Sequence, residues 1–122
     1  LMDAGMPINP ELAEGQIYGA VVKSLGHTLY ENIIYDKKGH PLNTNLRAYG
    51  PPMIGDVPEK FKAVLIHTDD PYGPYGAKSV SEVSVNGAAP AVASAIHDAV
   101  GIWIRRWPIT PEAILRGLGK IG

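Results

Sequence analysis

Glu82 is the residue whose surroundings most invite chemistry. It stands in the stretch Asp70 to Gly87 (DPYGPYGAKSVSEVSVNG), rich in proline, glycine and serine, and is the only acid between Asp70 and Asp98. A loop of that length inside a domain is usually functional or disordered. A lone carboxylate among small and apolar residues is compatible with partial burial. Burial would raise its pKa and suit it to accept a proton near neutrality. A surface glutamate paired with Lys78 fits the same residues, and taken alone they favour that plainer reading, because single acids are common.

The other candidates are weaker. Gly73, Gly76, Lys78 and Ser79 could cradle an anion, but no Gly-Lys-Ser/Thr opens a helix after a strand, so a phosphate loop is not matched. His27, His40, His67 and His97 show no i, i+4 pairing and promise no converging metal ligands. Arg105 and Arg106, between Trp103 and Trp107, fit either a stacking surface or exposed positions on an edge strand. Gln16 places a polar group on a glycine-rich helix where close approach is allowed; plain surface fits it equally well.

The elements that must position these residues follow from caps and periodicity. Asn9-Pro10-Glu11 starts a helix. Leu12, Ile17, Val21, Leu25 and Leu29, with Val22 beside them, extend it as an apolar stripe to about residues 30–35. Gly15, Gly19 and Gly26 each cost this helix roughly 1 kcal/mol against alanine, which implies close packing on another element or a ligand. Proline-rich residues 40–60 read as irregular chain. Residues 62–68 (KAVLIHT) read as a strand stopped by Asp69-Asp70-Pro71. A second helix is expected over 88–100, with Val92, Ala95, Ile96 and Ala99 inward and Gly101 as its cap. The alternation of residues 102–107 predicts a strand pairing with 62–68, and Thr110-Pro111-Glu112 opens a last short helix. The fold class expected is α+β, a mixed sheet packed by two main helices.

Composition sets the limits. The 122 residues fit one domain, and 45% apolar with 19% charged residues fits an ordinary globular chain. Eleven basic against twelve acidic side chains, a net charge of −1, offer nothing to nucleic acid or an anionic membrane. Apolar runs are far too short for a bilayer span, and no signal peptide is visible. The absence of cysteine excludes disulfides, thiolate catalysis and a thiolate-held iron–sulfur cluster within this chain, and suits a cytoplasmic setting. A start at Leu1-Met2-Asp3 fits a fragment or a processed chain.

Six segments resemble, in order and at suitable spacing, the molybdenum hydroxylase family of xanthine dehydrogenases, aldehyde oxidases and carbon monoxide dehydrogenase. Asp3 to Pro10 resembles its DxGxxxNP, Glu14 to Ala20 its EGQxxGA, and Ser24-Leu25-Gly26 its GLG. Gly76 to Glu82 resembles GAKGxGE, Pro90 to Gly101 resembles PAxxxAIxDAxG, and Pro108 to Glu112 resembles LPxTPE. Together they span nearly the whole chain. Ser79 and Ser81 stand where the commonest pattern has glycine, and Val83 where proline is usual.

The resemblance implies that residues 1–122 are the C-terminal part of a molybdenum cofactor-binding domain. It makes Glu82 the base that removes a proton as a water-derived oxygen attacks an electron-poor carbon of a heterocycle or aldehyde. It puts Gln16, Lys78 and Ser79 near the cofactor, a molybdenum-pterin (molybdopterin or its cytosine dinucleotide form), with no protein ligand to the metal. Iron–sulfur and flavin (FAD) centres are expected on other domains or subunits. The implied partners are these, the remainder of the molybdenum subunit, and a small-molecule substrate. The chain alone is expected to fold without binding molybdenum and to be inactive. A binding or assembly module that keeps the fold without the chemistry is the competing reading.

Overall fold

The structure, a computed structural model, describes all of residues 1–122. Helix α1 runs from Pro10 to Leu29, and Asn9 caps it by accepting a hydrogen bond from the Leu12 N–H at 3.0 Å. Its end is closed by Tyr30 and Glu31, whose N–H groups both donate to the Gly26 carbonyl. The buried face of α1 is Ala13, Ile17, Ala20, Ser24 and Thr28, steps of three and four that define one side of a helix. Of the expected apolar stripe, Ile17 and Val21 do meet the core, but Leu12 is 68% exposed. Small side chains line the inner face because neighbouring elements come close. A Cβ on Gly26 would lie 2.4 Å from Pro52 Cγ.

Strand β1 (Met2–Asp3) pairs in parallel with β2 (Leu65–Ile66), Met2 opposite Leu65 and Asp3 opposite Ile66. The expected strand at 62–68 is therefore present in shortened form, with a different partner. Residues 102–107 join no sheet. Their alternation has another cause: Ile102 and Ile104 are half-buried while Trp103 and Arg105 face out, and Ile102 packs at Gly117 on the last helix. Met2, Ile17 and Ala63 form the core, joined by Tyr18, Val21, Leu65 and Val80. The Tyr18 hydroxyl accepts from the Ala63 N–H at 3.2 Å, and its ring meets Phe61 edge-on at 4.8 Å.

Residues 40–60 are mostly irregular, apart from one short helix, α2 (Leu46–Tyr49), and a 3-10 turn at Ile54–Asp56. Two helices follow in quick succession, α3 (Glu82–Val85) and α4 (Ala88–Val100), and both pack on α1. α3 falls where a continuous loop was expected. α4 has the expected bounds and ends at Gly101 with φ 75°. Its inner face is Val92, Ala93 and Ile96; Ala95 and Ala99 are exposed, contrary to expectation. Helix α5 (Pro111–Gly117) begins at Thr110, whose hydroxyl accepts from the Ala113 N–H at 3.2 Å. The class is α+β, as expected.

Candidate functional site

α3 begins at Glu82 and packs beside α1, leaving a hollow of about 260 Å³ between them. Its lining comprises Gly15, Gln16, Gly19, Ala20 and Lys23 from α1, with Ser81, Glu82 and Val85 from the α3 side. The fourfold spacing of Gly15, Gly19 and Lys23 puts them on one helix face. A Cβ built on Gly15 or Gly19 meets no atom within 4 Å. These two glycines therefore owe nothing to packing inside the chain, whereas Gly26 does.

Glu82 is exposed rather than partly buried, and its carboxyl is held below its ordinary value, not above it. The Ser81 hydroxyl donates to it, its own backbone N–H donates as well, and Lys23 attracts it from α1. Donors aimed at a carboxylate favour the charged form, and here they outweigh desolvation. Lys23 escaped notice in the sequence, although its i+4 step from Gly19 carried the signal.

Lys78 does not pair with Glu82. Its ammonium donates to Asp3 Oδ2 at 2.7 Å and to Thr68 Oγ1 at 3.1 Å. Asp3 Oδ1 accepts from the Gly5 N–H at 3.0 Å and from the Thr68 hydroxyl at 2.7 Å. Asp3 is consequently lowered to about 2, chiefly by Lys78, and Lys78 is raised, chiefly by Asp3. The backbone agrees with this clasp: the Lys78 N–H donates to the Ala4 carbonyl and the Met6 N–H to the Gly76 carbonyl. Gly5 is required there, since its φ is +59° and a Cβ would lie 2.1 Å from the Gly76 carbonyl oxygen.

A second, more apolar hollow of about 260 Å³ lies on the other side of Gln16, between Pro7, Ile8, Leu12, Ala77, Lys78 and Val80. Gln16 borders both hollows, so of the four expected site residues the structure brings Gln16 and Glu82 together in one and Gln16 and Lys78 in the other. Ser79 is exposed and lines neither. The histidines stay apart: His40 bonds Asp36, His97 stacks on Trp103, and no three His, Asp or Glu residues gather into a metal-binding group. No helix is long and apolar enough to cross a membrane.

Residues 1–58 match the model of the molybdopterin cofactor-binding domain. The chain is 62% identical over 121 residues to "Probable hypoxanthine oxidase XdhD" of Escherichia coli K12, a match covering 99% of the chain and 13% of that protein. It is 34% identical over 119 residues to the "Aldehyde oxidoreductase molybdenum-binding subunit PaoC" of the same strain, covering 97% of the chain and 16% of that protein. The crystal structure of quinoline 2-oxidoreductase from Pseudomonas putida 86 superposes with a TM-score of 0.87 at 35% identity, over 98% of the chain and 16% of the solved one. The chain belongs to the xanthine dehydrogenase and aldehyde oxidase family of molybdenum-binding subunits. It spans about a sixth or less of the length of these family members. Within it, the family match at residues 1–58 covers β1 and all of α1, which carry Asp3, Gln16 and the hollow's glycines, while Lys78 and Glu82 lie beyond it.

Proposed function

We propose that this chain is the part of a molybdenum-dependent hydroxylase that presents Glu82, as general base, to the reacting centre. One observation carries the reading: Glu82 lines a hollow whose other wall is the bare backbone of Gly15 and Gly19, with open space above it. The residues around that hollow suit a polar, pterin-type cofactor. The Gln16 amide both donates and accepts, the Ser81 hydroxyl does the same, and the glycines let a flat group approach the helix. When bound, the cofactor supplies the oxidising centre and the activation of water that make carbon hydroxylation possible.

Within the chain the roles divide simply. Glu82 takes up a proton as the water-derived oxygen attacks an electron-poor carbon. Its lowered pKa leaves it ionised throughout the neutral range, the form a base needs, and makes it a weaker proton acceptor than a buried glutamate would be. Gln16, which borders both hollows, supplies polar contacts to the cofactor, while Ser79 lines neither hollow and takes no part in this reading. Lys78 borders the second hollow and spends two of its three donors on Asp3 and Thr68. The 62% identity to a protein named as a probable hypoxanthine oxidase favours a heterocycle over an aldehyde as substrate.

The rest of the machinery belongs to the remainder of the subunit and to iron–sulfur and flavin components on other domains or subunits, in a cytoplasmic enzyme. Only 12 of the 122 residues are buried, and Leu46, Met53 and Ile54 are among the exposed apolar side chains. Exposure on that scale supports extensive covering by a partner surface. For the same reason the isolated chain should hold no molybdenum. Glu82→Gln in the full-length protein, with turnover and molybdenum content measured together, tests the reading. Near-normal turnover at full loading contradicts it and leaves the non-catalytic assembly module.

A further inference from the structure

We infer that Lys78 is a positioning residue, which aims Glu82 by clasping the segment that carries it to Asp3 on β1. The inference rests on the reading of Glu82 as the base. Three residues separate Lys78 from Glu82, and the chain is held to the N-terminal strand on either side of Glu82. At the upstream end the Lys78 ammonium bonds Asp3 at 2.7 Å and the Lys78 N–H bonds the Ala4 carbonyl at 3.0 Å. At the downstream end Ser84, two residues past Glu82, donates to the Val80 carbonyl at 3.0 Å and touches the Met2 sulfur at 3.8 Å. Val80, midway, packs against the Met2, Ile17 and Ala63 core. Met2, Asp3 and Ala4 thus hold residues 78–84 at both ends, and Glu82 projects from a span with little slack.

Thr68 completes the clasp, since its hydroxyl lies between the Asp3 carboxylate and the Lys78 ammonium. Three segments distant in sequence meet there: the first strand, the turn after β2, and the glycine-rich loop. The side chains of Lys78 and Asp3 are 35% and 40% exposed. An ion pair so exposed adds little to overall stability. Its consequence is geometric, and a base displaced by about 1 Å can cost on the order of 10²-fold in rate.

The test uses the full-length, cofactor-loaded protein with Lys78→Met, Lys78→Arg and Asp3→Asn. Three quantities are measured: kcat and KM, molybdenum content, and amide hydrogen exchange over residues 79–86. Lys78→Met and Asp3→Asn should each lower kcat by about 10- to 100-fold with KM and molybdenum content unchanged. Both should also exchange faster over residues 79–86. Lys78→Arg keeps the charge on Asp3 and should return kcat to within a few-fold of wild type. Unchanged exchange in both charge-removing variants overturns the clasp. So does loss of molybdenum in Lys78→Met but not in Asp3→Asn, which would make Lys78 a direct cofactor contact. Exchange is read without turnover, so failure of Glu82 as base, seen as full turnover in Glu82→Gln, is told apart from failure of the clasp.

Discussion

Gly19 of α1 and Glu82 of α3 line one hollow from two different helices, and the space in front of Gly19 is empty of protein atoms. Glycine costs a helix about 1 kcal/mol relative to alanine, and leucine costs little. Gly19→Leu should therefore raise or preserve the melting temperature of the subunit while filling the hollow. Molybdenum content and kcat/KM should fall together. A leucine variant with full molybdenum and normal kcat/KM would show that nothing needs the space beside Glu82.

Gly26, two turns further along the same helix, should behave in the opposite way. Its added Cβ would collide with the Pro52 ring at 2.4 Å. Overpacking of this kind typically costs 1–3 kcal/mol, more than the alanine gains in helix propensity. Gly26→Ala should lower the denaturation midpoint and leave kcat per molybdenum unchanged. The pair of substitutions thus separates a glycine kept for packing from one kept for access.

The clasp makes a pH prediction whose sign is fixed. Asp3 has a folded value of about 2, below the ordinary 3.8. A depressed carboxyl contributes stability that is fully present above its unfolded value and is lost as pH falls through the folded one. Asp3→Asn should therefore melt slightly below wild type at pH 6, and the gap should close between about pH 4 and pH 2. The effect is small because the pair is solvent-exposed. Thermal melts of both proteins across that range check it, and a gap that widens on acidification would contradict the assignment.

How much of this was legible in the sequence depended on whether the signal was local. Asn9, Thr110 and Gly101 marked their helix ends correctly because capping is decided within three or four residues. The β1–β2 pairing was not legible, since two-residue strands carry no periodicity and their partners lie more than sixty residues apart. The alternation at 102–107 misled for a related reason: half-burial against a helix leaves the same pattern as a sheet. The inner face of α1 was read only in part: Ile17 and Val21 meet the core as expected, but leucines advertise burial more loudly than Ala13, Ser24 and Thr28. For the candidate site, the sequence offered Gln16, Lys78 and Glu82, and the structure puts Gln16 beside each of the other two. Lys78's partner was not legible, because residue spacing says nothing of which carboxylate a lysine will meet.

The decisive prediction concerns Glu82 itself. Glutamine has the size of glutamate, and its carbonyl oxygen can still accept the Ser81 hydroxyl, so α3 and the hollow should keep their shape. What the variant loses is a group able to take a proton. General-base loss costs about 10²–10⁴-fold, and a base serving the step that forms the new carbon–oxygen bond belongs at or beyond the upper end. Molybdenum content should remain near normal, because glutamine keeps the size of glutamate and one acceptor oxygen. The wild-type pH profile supplies an independent check. On the proposed reading activity needs the ionised carboxylate, whose pKa is held below the ordinary 4.5 by Ser81, by its own N–H and by Lys23. The acid limb of kcat/KM should accordingly lie below that value, and Ser81→Ala should move it upward by removing the leading cause of the depression. Loss of turnover in Glu82→Gln at full molybdenum loading, with an acid limb that follows Ser81, would fix the base. Turnover within a few-fold of wild type at the same loading would remove Glu82 from the chemistry.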